Sequence, residues 1–316
     1  MSSTLLARFA QNVFWMGRYI ERVDNLARIL DINETYARET RGEPDWQRVL
    51  AIYEDKERFF KDHKRAGAQE VLDFYILDPK NPASVAVSVK MARENARSIR
   101  HLISTEMWTH LNMFHGRVAG LTQRDVWLNN VSGLCTELKE GSQTFEGIAE
   151  GTFFRGSAWH FYNIGKYIER ADQTTRVLFM ACDLLSGADD EGDAVNTVQW
   201  NVLLRSVAAY HAFRWVRPNS HQRRDIVNFL LYDHGFPRSV ALCADRISVH
   251  LEELVVKRGQ PRHETLEAAR NRFVFTLNTG LGDKVTQRNL KRFLDDLQRA
   301  LNRLSDTIAV GYFGIR

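Results

Sequence analysis

The chain has 316 residues, of which 44% are hydrophobic and 26% are charged, and it contains only 6 prolines, 3 cysteines and 19 glycines. This composition excludes a disordered, collagen-like or disulfide-stabilised chain, because it has neither the shortage of apolar residues nor the excess of proline, glycine or cysteine that those classes require. The formal net charge of +4 comes from 43 basic and 39 acidic residues. The two signs interleave along the sequence, which favours a solvated helical surface over a nucleic-acid-binding face.

The apolar residues of the first forty positions recur at spacings of three and four, which predicts a long amphipathic helix over roughly residues 5–40. The same spacing predicts ten further helices. In chain order they lie at about 45–63, 68–77, 83–103, 106–140, 155–186, 195–214, 221–232, 238–257, 262–279 and 283–311. Since no segment shows sustained alternation of apolar and polar residues between turn signals, no strand is predicted and the fold class is all-α.

Nine large aromatic residues lie at helical spacings and are predicted to be core residues rather than a stacking platform. They are Trp15, Tyr19, Trp108, Trp127, Trp159, Tyr162, Tyr167, Trp200 and Trp215. No apolar run approaches the ~20 residues of a membrane span, and the first residues lack the pattern of a secretory signal. The three cysteines are far apart and show no metal-binding spacing, which is typical of a reducing compartment. We therefore expect a cytoplasmic protein with no membrane partner.

The most informative feature is an internal duplication. The segment 17–30 aligns without gaps with the segment 165–178, and eight of the fourteen positions are identical. Weaker matches follow in the same order, pairing Trp46 with Trp200 and the segment 74–86 with the segment 229–241. The sequence therefore predicts one helical domain over residues 1–316, built from homologous repeats at about 1–150 and 151–316.

The two repeats are predicted to form a single bundle around a pseudo-two-fold axis. The junction between them, at 141–158, contains four glycines among large aromatic residues and is too apolar for an exposed linker. The two long duplicated helices are expected to pack against each other in this bundle.

Each long helix carries a Glu-Arg motif that forms the candidate site. Consecutive residues of a helix project about 100° apart, so Glu21 cannot pair with Arg22. A glycine inside a helix costs roughly 1 kcal/mol relative to alanine, so the duplicated glycine predicts the close approach of another backbone or of a ligand. Within each copy the aspartate is predicted to pair with the arginine four residues later, so Asp24 pairs with Arg28 and Asp172 with Arg176. The candidate residues are Gly17, Tyr19, Glu21, Arg22, Asp24 and Arg28, with Gly165, Tyr167, Glu169, Arg170, Asp172 and Arg176.

Three interpretations of these charges remain open. In the first, Glu21 reaches Arg170 or Arg176 and Glu169 reaches Arg22 or Arg28, so that a buried ion-pair network stabilises the crossing of the two helices. In the second, the charges line a groove for a charged ligand or a segment of a partner. In the third, they act in catalysis.

Known catalytic and metal-binding patterns are absent from the sequence. No acidic residue has a histidine three positions later, as a ferritin-like di-metal site needs, and there is no phosphate-binding Gly-rich loop, nucleophile elbow or zinc motif. We therefore predict no metal and no cofactor, and a chain that is not an enzyme on its own.

The duplicated motif resembles that of the bacterial alpha-E family, an all-helical domain named for its Glu-Arg motifs. The likeness covers essentially the whole chain, and Lys166 and Gln173 are mild departures from the pattern. It is carried by the segments 12–22, 92–97, 106–112, 165–176 and 236–240. The second and third of these segments add a secondary motif to the candidate site, formed by Arg93, Glu94, Arg97, Glu106 and Trp108.

The resemblance implies a partner role. Members of the family look like companions of a circularly permuted ATP-grasp protein, often beside a transglutaminase-like protein. Because ATP-grasp enzymes activate a carboxylate with ATP and join it to an amine, the resemblance implies a non-catalytic or half-site partner subunit of an amide or peptide ligase. Two alternatives are an enzyme that uses Glu21 and Glu169 as acid and base, and a helical regulatory protein that binds nucleic acid, which the mixed charge disfavours. A homo-oligomer stays open.

Overall fold

The computed structural model describes residues 5–40, 46–127, 131–182, 194–220, 222–256, 259, 262–281 and 285–314. Within these ranges the chain is helical and contains no strand, which confirms the all-α fold class. The helices are α1 Ala7–Thr40, α2 Trp46–Ile52, α3 Lys56–Asp62, α4 Ala68–Ile76, α5 Val85–Ser98, α6 Thr105–Ala119, α7 Val131–Thr152, α8 Ser157–Ala181, α9 Ala194–Ser206, α10 Tyr210–Val216, α11 Arg223–Tyr232, α12 Val240–Val256, α13 Glu264–Asn278 and α14 Gln287–Ile308, followed by a π-helical turn Ala309–Phe313.

The chain divides into two compact units, residues 1–166 and residues 167–316, and the boundary lies inside α8. In the N-terminal unit α1 packs against α5 and α7. Its predicted apolar stripe is buried from Val13 to Leu30, while Phe9 at the start of the helix is only partly buried. In the C-terminal unit α14 packs its leucine-rich face against α13. The single pseudo-symmetric bundle of two repeats stays a prediction.

Two of the predicted helices are wrong in the same way. The helices predicted at 45–63 and 195–214 each break once, at Glu54 and Ala208, which adopt φ angles of 56° and 57°. The next amide then donates a hydrogen bond back across the turn, from Asp55 to the Leu50 carbonyl at 2.9 Å and from Ala209 to the Leu204 carbonyl at 2.6 Å. This is the geometry of a helix C-cap. Because a new helix begins directly after it, the apolar periodicity continues through the break and hides it.

The helix predicted at 106–140 is also two helices. The first, α6, ends before Gly120, and the Asp125 side chain then closes a turn by accepting hydrogen bonds from the Thr122 amide and hydroxyl at 2.8 and 2.6 Å. The second, α7, extends to Thr152 and so includes most of the predicted junction. Position 141 of α7 has no room for a side chain, because a Cβ atom there would clash with the ring of Phe114. A glycine therefore fits this position.

The segments with weaker sequence similarity have matching local structure in the two units. Ser84 and Ser239 precede α5 and α12, and each hydroxyl donates to the carbonyl six residues earlier and accepts from the amide three residues later. The seven-residue helices α3 and α10 each bury one phenylalanine against the next helix, at ring distances of 5.2 Å for Phe59 with Phe74 and 5.5 Å for Phe213 with Phe229.

The prediction that all nine aromatic residues are core is wrong for two of them. Trp127 is 59% exposed and Trp215 is 88% exposed. Of the other seven, Trp159, Tyr162 and Trp200 are buried and four are half-buried, namely Trp15, Tyr19, Trp108 and Tyr167. Phe213 and Trp215 are both in α10, and positions two apart in a helix face nearly opposite sides. Since Phe213 occupies the core side, Trp215 faces solvent.

Candidate functional site

The first Glu-Arg motif lies on a helix that is buried over most of its circumference. Glu21, Asp24 and Asn25 are as buried as the apolar stripe beside them, with Glu21 only 2% exposed. This burial follows from the packing of α5 and α7 against α1. Buried carboxylates are tolerated only where hydrogen bonds or cations compensate for the loss of water, so the contacts of these side chains define what the site can do.

The duplicated glycines lie where α1 and α8 approach each other in the N-terminal unit. A Cβ atom on Gly17 would clash with the Tyr162 carbonyl oxygen and lie 3.3 Å from the Lys166 nitrogen. In return, a Cβ atom on Gly165 would clash with the Phe14 carbonyl oxygen and lie 2.9 Å from its carbon. The predicted close approach at both glycines is therefore confirmed, and the approaching group is backbone rather than ligand.

One turn further along α1, Asp24 accepts two hydrogen bonds from the Arg28 guanidinium, at 2.8 and 3.1 Å. The side-chain amide of Gln143 on α7 donates a third, at 3.1 Å. The predicted pair between Asp24 and Arg28 is confirmed, and α7 supplies a partner that the sequence did not reveal.

Further along the same two helices, Asp31 accepts from the Lys139 ammonium at 2.6 Å and from the Ser132 hydroxyl. Both charged side chains are largely buried, with 13% of Asp31 and 19% of Lys139 exposed. The carboxylate of Asp31 is thereby neutralised within the interface between α1 and α7.

Where α7 meets α8, Glu146 accepts from the Lys166 ammonium at 2.9 Å and from the Tyr162 hydroxyl. The Lys166 side chain is only 8% exposed. These contacts form a row of ion pairs and hydrogen bonds between α1, α7 and α8 in the N-terminal unit. We call this row the polar seam. Its members are Asp24, Arg28, Asp31, Ser132, Lys139, Gln143, Glu146, Tyr162 and Lys166.

From Tyr167 onward the second copy of the motif lies in the C-terminal unit, and it also buries its glutamate, since Glu169 is 6% exposed. The predicted pair between Asp172 and Arg176 is confirmed, at 2.8 Å. Nearby, the Thr174 hydroxyl donates to the Arg238 carbonyl at 2.8 Å. The predicted ion pairs from Glu21 to Arg170 or Arg176 and from Glu169 to Arg22 or Arg28 stay predictions.

The arginine of each motif contacts the tyrosine three residues before it. Arg22 lies over the Tyr19 ring and Arg170 over the Tyr167 ring, both at 5.5 Å. Both arginines are half-buried. This cation–π contact keeps the guanidinium at the edge of the packed region while the neighbouring carboxylate enters it.

The secondary motif joins α5 to α6. Arg93 donates to the Asn112 side chain at 2.8 Å, pairs with Glu94 at 2.9 Å and lies over the Trp108 ring at 5.7 Å. Arg97 lies 3.6 Å from the same glutamate. Glu106 is exposed in the first turn of α6, where its negative charge interacts favourably with the positive end of the helix dipole. These contacts connect α5 to α6.

Burial changes the pKa values of groups next to the polar seam and elsewhere in the core. Burial, together with the neighbouring carboxylate of Asp31, raises the pKa of Cys135 to about 12. The thiol is therefore neutral at physiological pH and a poor nucleophile. Burial also raises the pKa of Tyr75, with the Asp55 carboxylate adding to the effect, and raises the pKa of Tyr232 to about 12.

The described residues contain no group of three or more His, Cys, Asp or Glu side chains that could hold a metal ion. Over the same residues, no helix combines the length and the apolar character needed to cross a membrane. A cavity of about 170 Å³ in the C-terminal unit is lined by residues that include Arg262, His263 and Tyr312, and it contains no residue of either motif.

Fold and site define an all-helical protein whose long helices carry buried glutamates and locally paired charges. The chain belongs to the Alpha-E family, described as a predicted alpha-helical domain with a conserved ER motif, whose profile matches residues 5–313. It is also similar to uncharacterised proteins of Mycobacterium bovis and Mycobacterium tuberculosis, with 23% identity over 282 residues covering 82% of this chain. The chain spans 31% of the length of those relatives. No solved structure matches it.

Proposed function

We propose that this chain is a non-catalytic or half-site helical partner subunit of a permuted ATP-grasp amide or peptide ligase. In this role the Glu-Arg motifs organise the polar network that stabilises the fold, and the ligase partner carries out the ATP-dependent joining of a carboxylate to an amine. A transglutaminase-like protein is a candidate further component of the system.

The observation that carries the proposal is the pairing of charges in the polar seam. Asp24, Asp31 and Glu146 each accept hydrogen bonds from a cation at 2.6 to 2.9 Å. A carboxyl that serves as a general acid or base must reach the proton of a substrate, whereas these three carboxylates are held by cations between packed helices. The seam therefore favours a structural role for the charges around the first motif.

The relation to the longer relatives also supports a partner role. The chain spans 31% of the mycobacterial proteins that it matches, so the matching region in those proteins is covalently joined to other sequence. A region that shares a chain with other sequence in one protein is a reasonable candidate to bind a separate partner in another. The identity of that partner follows from the family resemblance alone.

Co-purification tests the proposal. The tagged chain is expressed with the circularly permuted ATP-grasp protein of the same organism, and the complex is isolated by affinity and size-exclusion chromatography. We expect the two proteins to elute together at micromolar concentration. Separate elution at that concentration would exclude the proposed function.

A further inference from the structure

One stretch of the C-terminal unit departs from the mixed charge of the rest of the chain. Between Asp193 and Asp225 the sequence contains five arginines and no acidic residue, so this stretch carries a larger positive charge than the +4 of the whole chain. The prediction that the two signs interleave is wrong here. The five residues are Arg205, Arg214, Arg217, Arg223 and Arg224.

The same stretch contains the most exposed of the nine aromatic residues that are predicted to be core. Trp215 is 88% exposed at the end of α10, and Val216 after it is 46% exposed. A tryptophan side chain can bury roughly 150–250 Å² in a contact, so leaving it in water forgoes a large hydrophobic gain. Contiguous exposed apolar surface marks sites of interaction, whereas single exposed apolar side chains are common, and Trp215 and Val216 are exposed side by side in the sequence.

Two arginines follow this tryptophan in the sequence, Arg217 two residues after it and Arg223 at the start of α11. In the described part of the chain, neither Arg217 nor Arg223 has an ion-pair partner. Arg223 and Asp225 both lie in the first turn of α11, so one carboxylate accompanies the cations here. A hollow of about 400 Å³, lined by residues that include Val216, Arg217 and Asp225, joins the end of α10 to the start of α11.

The N-terminal unit provides an internal control for the role of Trp215. Its α3 follows the same kind of backbone break as α10 and buries Phe59 as α10 buries Phe213. Under this alignment the position of Trp215 holds Lys61 and that of Val216 holds Asp62, both exposed. The helix α3 therefore forms without an exposed tryptophan. Folding of the equivalent helix α10 does not require a tryptophan at position 215.

We propose that Trp215, Val216, Arg217 and Arg223 form a docking surface for a protein partner that presents an apolar pocket bordered by carboxylates. Tryptophan and arginine are the residues most enriched in the energetic hot spots of protein interfaces. The net positive charge of the stretch complements an acidic rim and would increase the rate of association. This inference rests on the proposed function, because the partner is the ATP-grasp protein, and it adds which surface of this chain meets it.

A protein partner fits this surface better than a nucleic acid or a membrane. Binding of single-stranded nucleic acid uses successive aromatic side chains along a cationic groove, and only Trp215 serves this surface. A membrane-surface helix needs a long apolar face, whereas α10 has seven residues and buries Phe213 in the core. A single aromatic side chain bordered by two arginines matches a pocket in a folded protein.

The test measures the dissociation constant between the full chain and the purified ATP-grasp partner by calorimetry at two salt concentrations. Trp215→Lys, which installs the residue of α3, is expected to weaken binding about 30-fold or more, as for other hot spots. Arg217→Glu is expected to weaken binding and to reduce its salt dependence. The control Phe275→Lys replaces an aromatic residue of α13 that is 60% exposed, and it should leave the dissociation constant within about twofold.

The remaining outcomes distinguish a failure of the docking surface from a failure of the proposed function. A complex whose dissociation constant is unchanged by Trp215→Lys overturns the docking surface and leaves the proposed function standing, whereas the absence of any complex overturns both. Trp215-dependent binding to phosphatidylglycerol vesicles or to an oligo-dT strand, with partner binding unchanged, overturns the docking surface in favour of that ligand class. The melting temperature of Trp215→Lys should stay within about 2 °C of wild type. A larger loss would mean that Trp215 supports the fold and would overturn the inference.

Discussion

Gly165 of α8 lies directly against the Phe14 carbonyl of α1, at a distance that leaves no room for a Cβ atom. Gly17 makes the reciprocal contact with the Tyr162 carbonyl, and each glycine contacts the residue three positions before the other. The duplicated motif therefore begins with a residue that permits two helix backbones to touch. The buried glutamates follow one turn later in each copy.

We expect Gly165→Ala to lower the free energy of unfolding by about 1–3 kcal/mol, because the added methyl group must push two helix backbones apart. Gly147→Ala on α7 is the matched control, since no atom lies within 4 Å of the position of its Cβ. That control should be stabilising by roughly 0.5–1 kcal/mol, from the better helix propensity of alanine. Urea denaturation of both variants checks the pair, and equal effects would argue against the backbone contact.

The polar seam predicts a cost for removing one partner of a buried pair. Glu146→Gln leaves the Lys166 ammonium, which is 8% exposed, without its carboxylate. We expect a loss of about 2 kcal/mol, below the value for a dry pair because Glu146 itself is 23% exposed. The control is Glu150→Gln, whose pair with Arg155 is exposed and should contribute less than about 1 kcal/mol. If the two variants have the same stability in urea, the seam does not stabilise the fold.

Stability is expected to fall in alkaline solution. Burial raises the pKa of Cys135 from 9.0 to about 12 and that of Tyr232 from 10.0 to about 12. Each group therefore stays neutral in the folded chain while it ionises in the unfolded chain, so its contribution is complete below pH 9 and is lost as the pH rises from 9 to 12. Urea midpoints between pH 8 and pH 11 check this, and Cys135→Ala should flatten the decline. A midpoint that is constant over this range would contradict the assigned pKa values.

The two motif glutamates are expected to support the fold rather than a reaction. Glu21 and Glu169 are 2% and 6% exposed, and a buried carboxylate is retained at such a site only with compensating partners. Glu21→Gln and Glu169→Gln should each lower the free energy of unfolding by about 2–4 kcal/mol. Glu106→Gln, at an exposed motif position, should change it by less than about 0.5 kcal/mol. Variants with wild-type thermal unfolding that lack only a catalytic activity would favour an enzyme.

The local features of the site follow from sequence because they depend on short spacings. The duplicated glycines predict a close backbone contact through their cost in a helix, and the acid at Asp24 or Asp172 predicts its arginine four residues later. Ser84 and Ser239 lie at matching positions of the two similar segments. They mark equivalent helix starts, whose hydrogen bonds match.

Features that depend on tertiary packing do not follow from the sequence. Lys139, Gln143 and Glu146 share one face of α7, but such a spacing is equally typical of a solvated helix, and only the packing against α1 and α8 shows which face is buried. The breaks at Glu54 and Ala208 are hidden because these residues favour helices and adopt positive φ angles only through the hydrogen bonds of the turn. The exposure of Trp215 is likewise hidden, since apolar spacing does not show which side of a short helix meets the core.

We propose that this chain is a partner subunit of a ligase that carries out the chemistry. The most direct measurement is the ATP-dependent formation of amide product by the purified permuted ATP-grasp protein, with and without this chain. We predict that the chain alone consumes no ATP, and that adding it increases product formation until the two proteins reach equal concentration. Product formation that is unchanged when the chain is added to about 10 μM, above the dissociation constant of a typical specific complex, would contradict the claim.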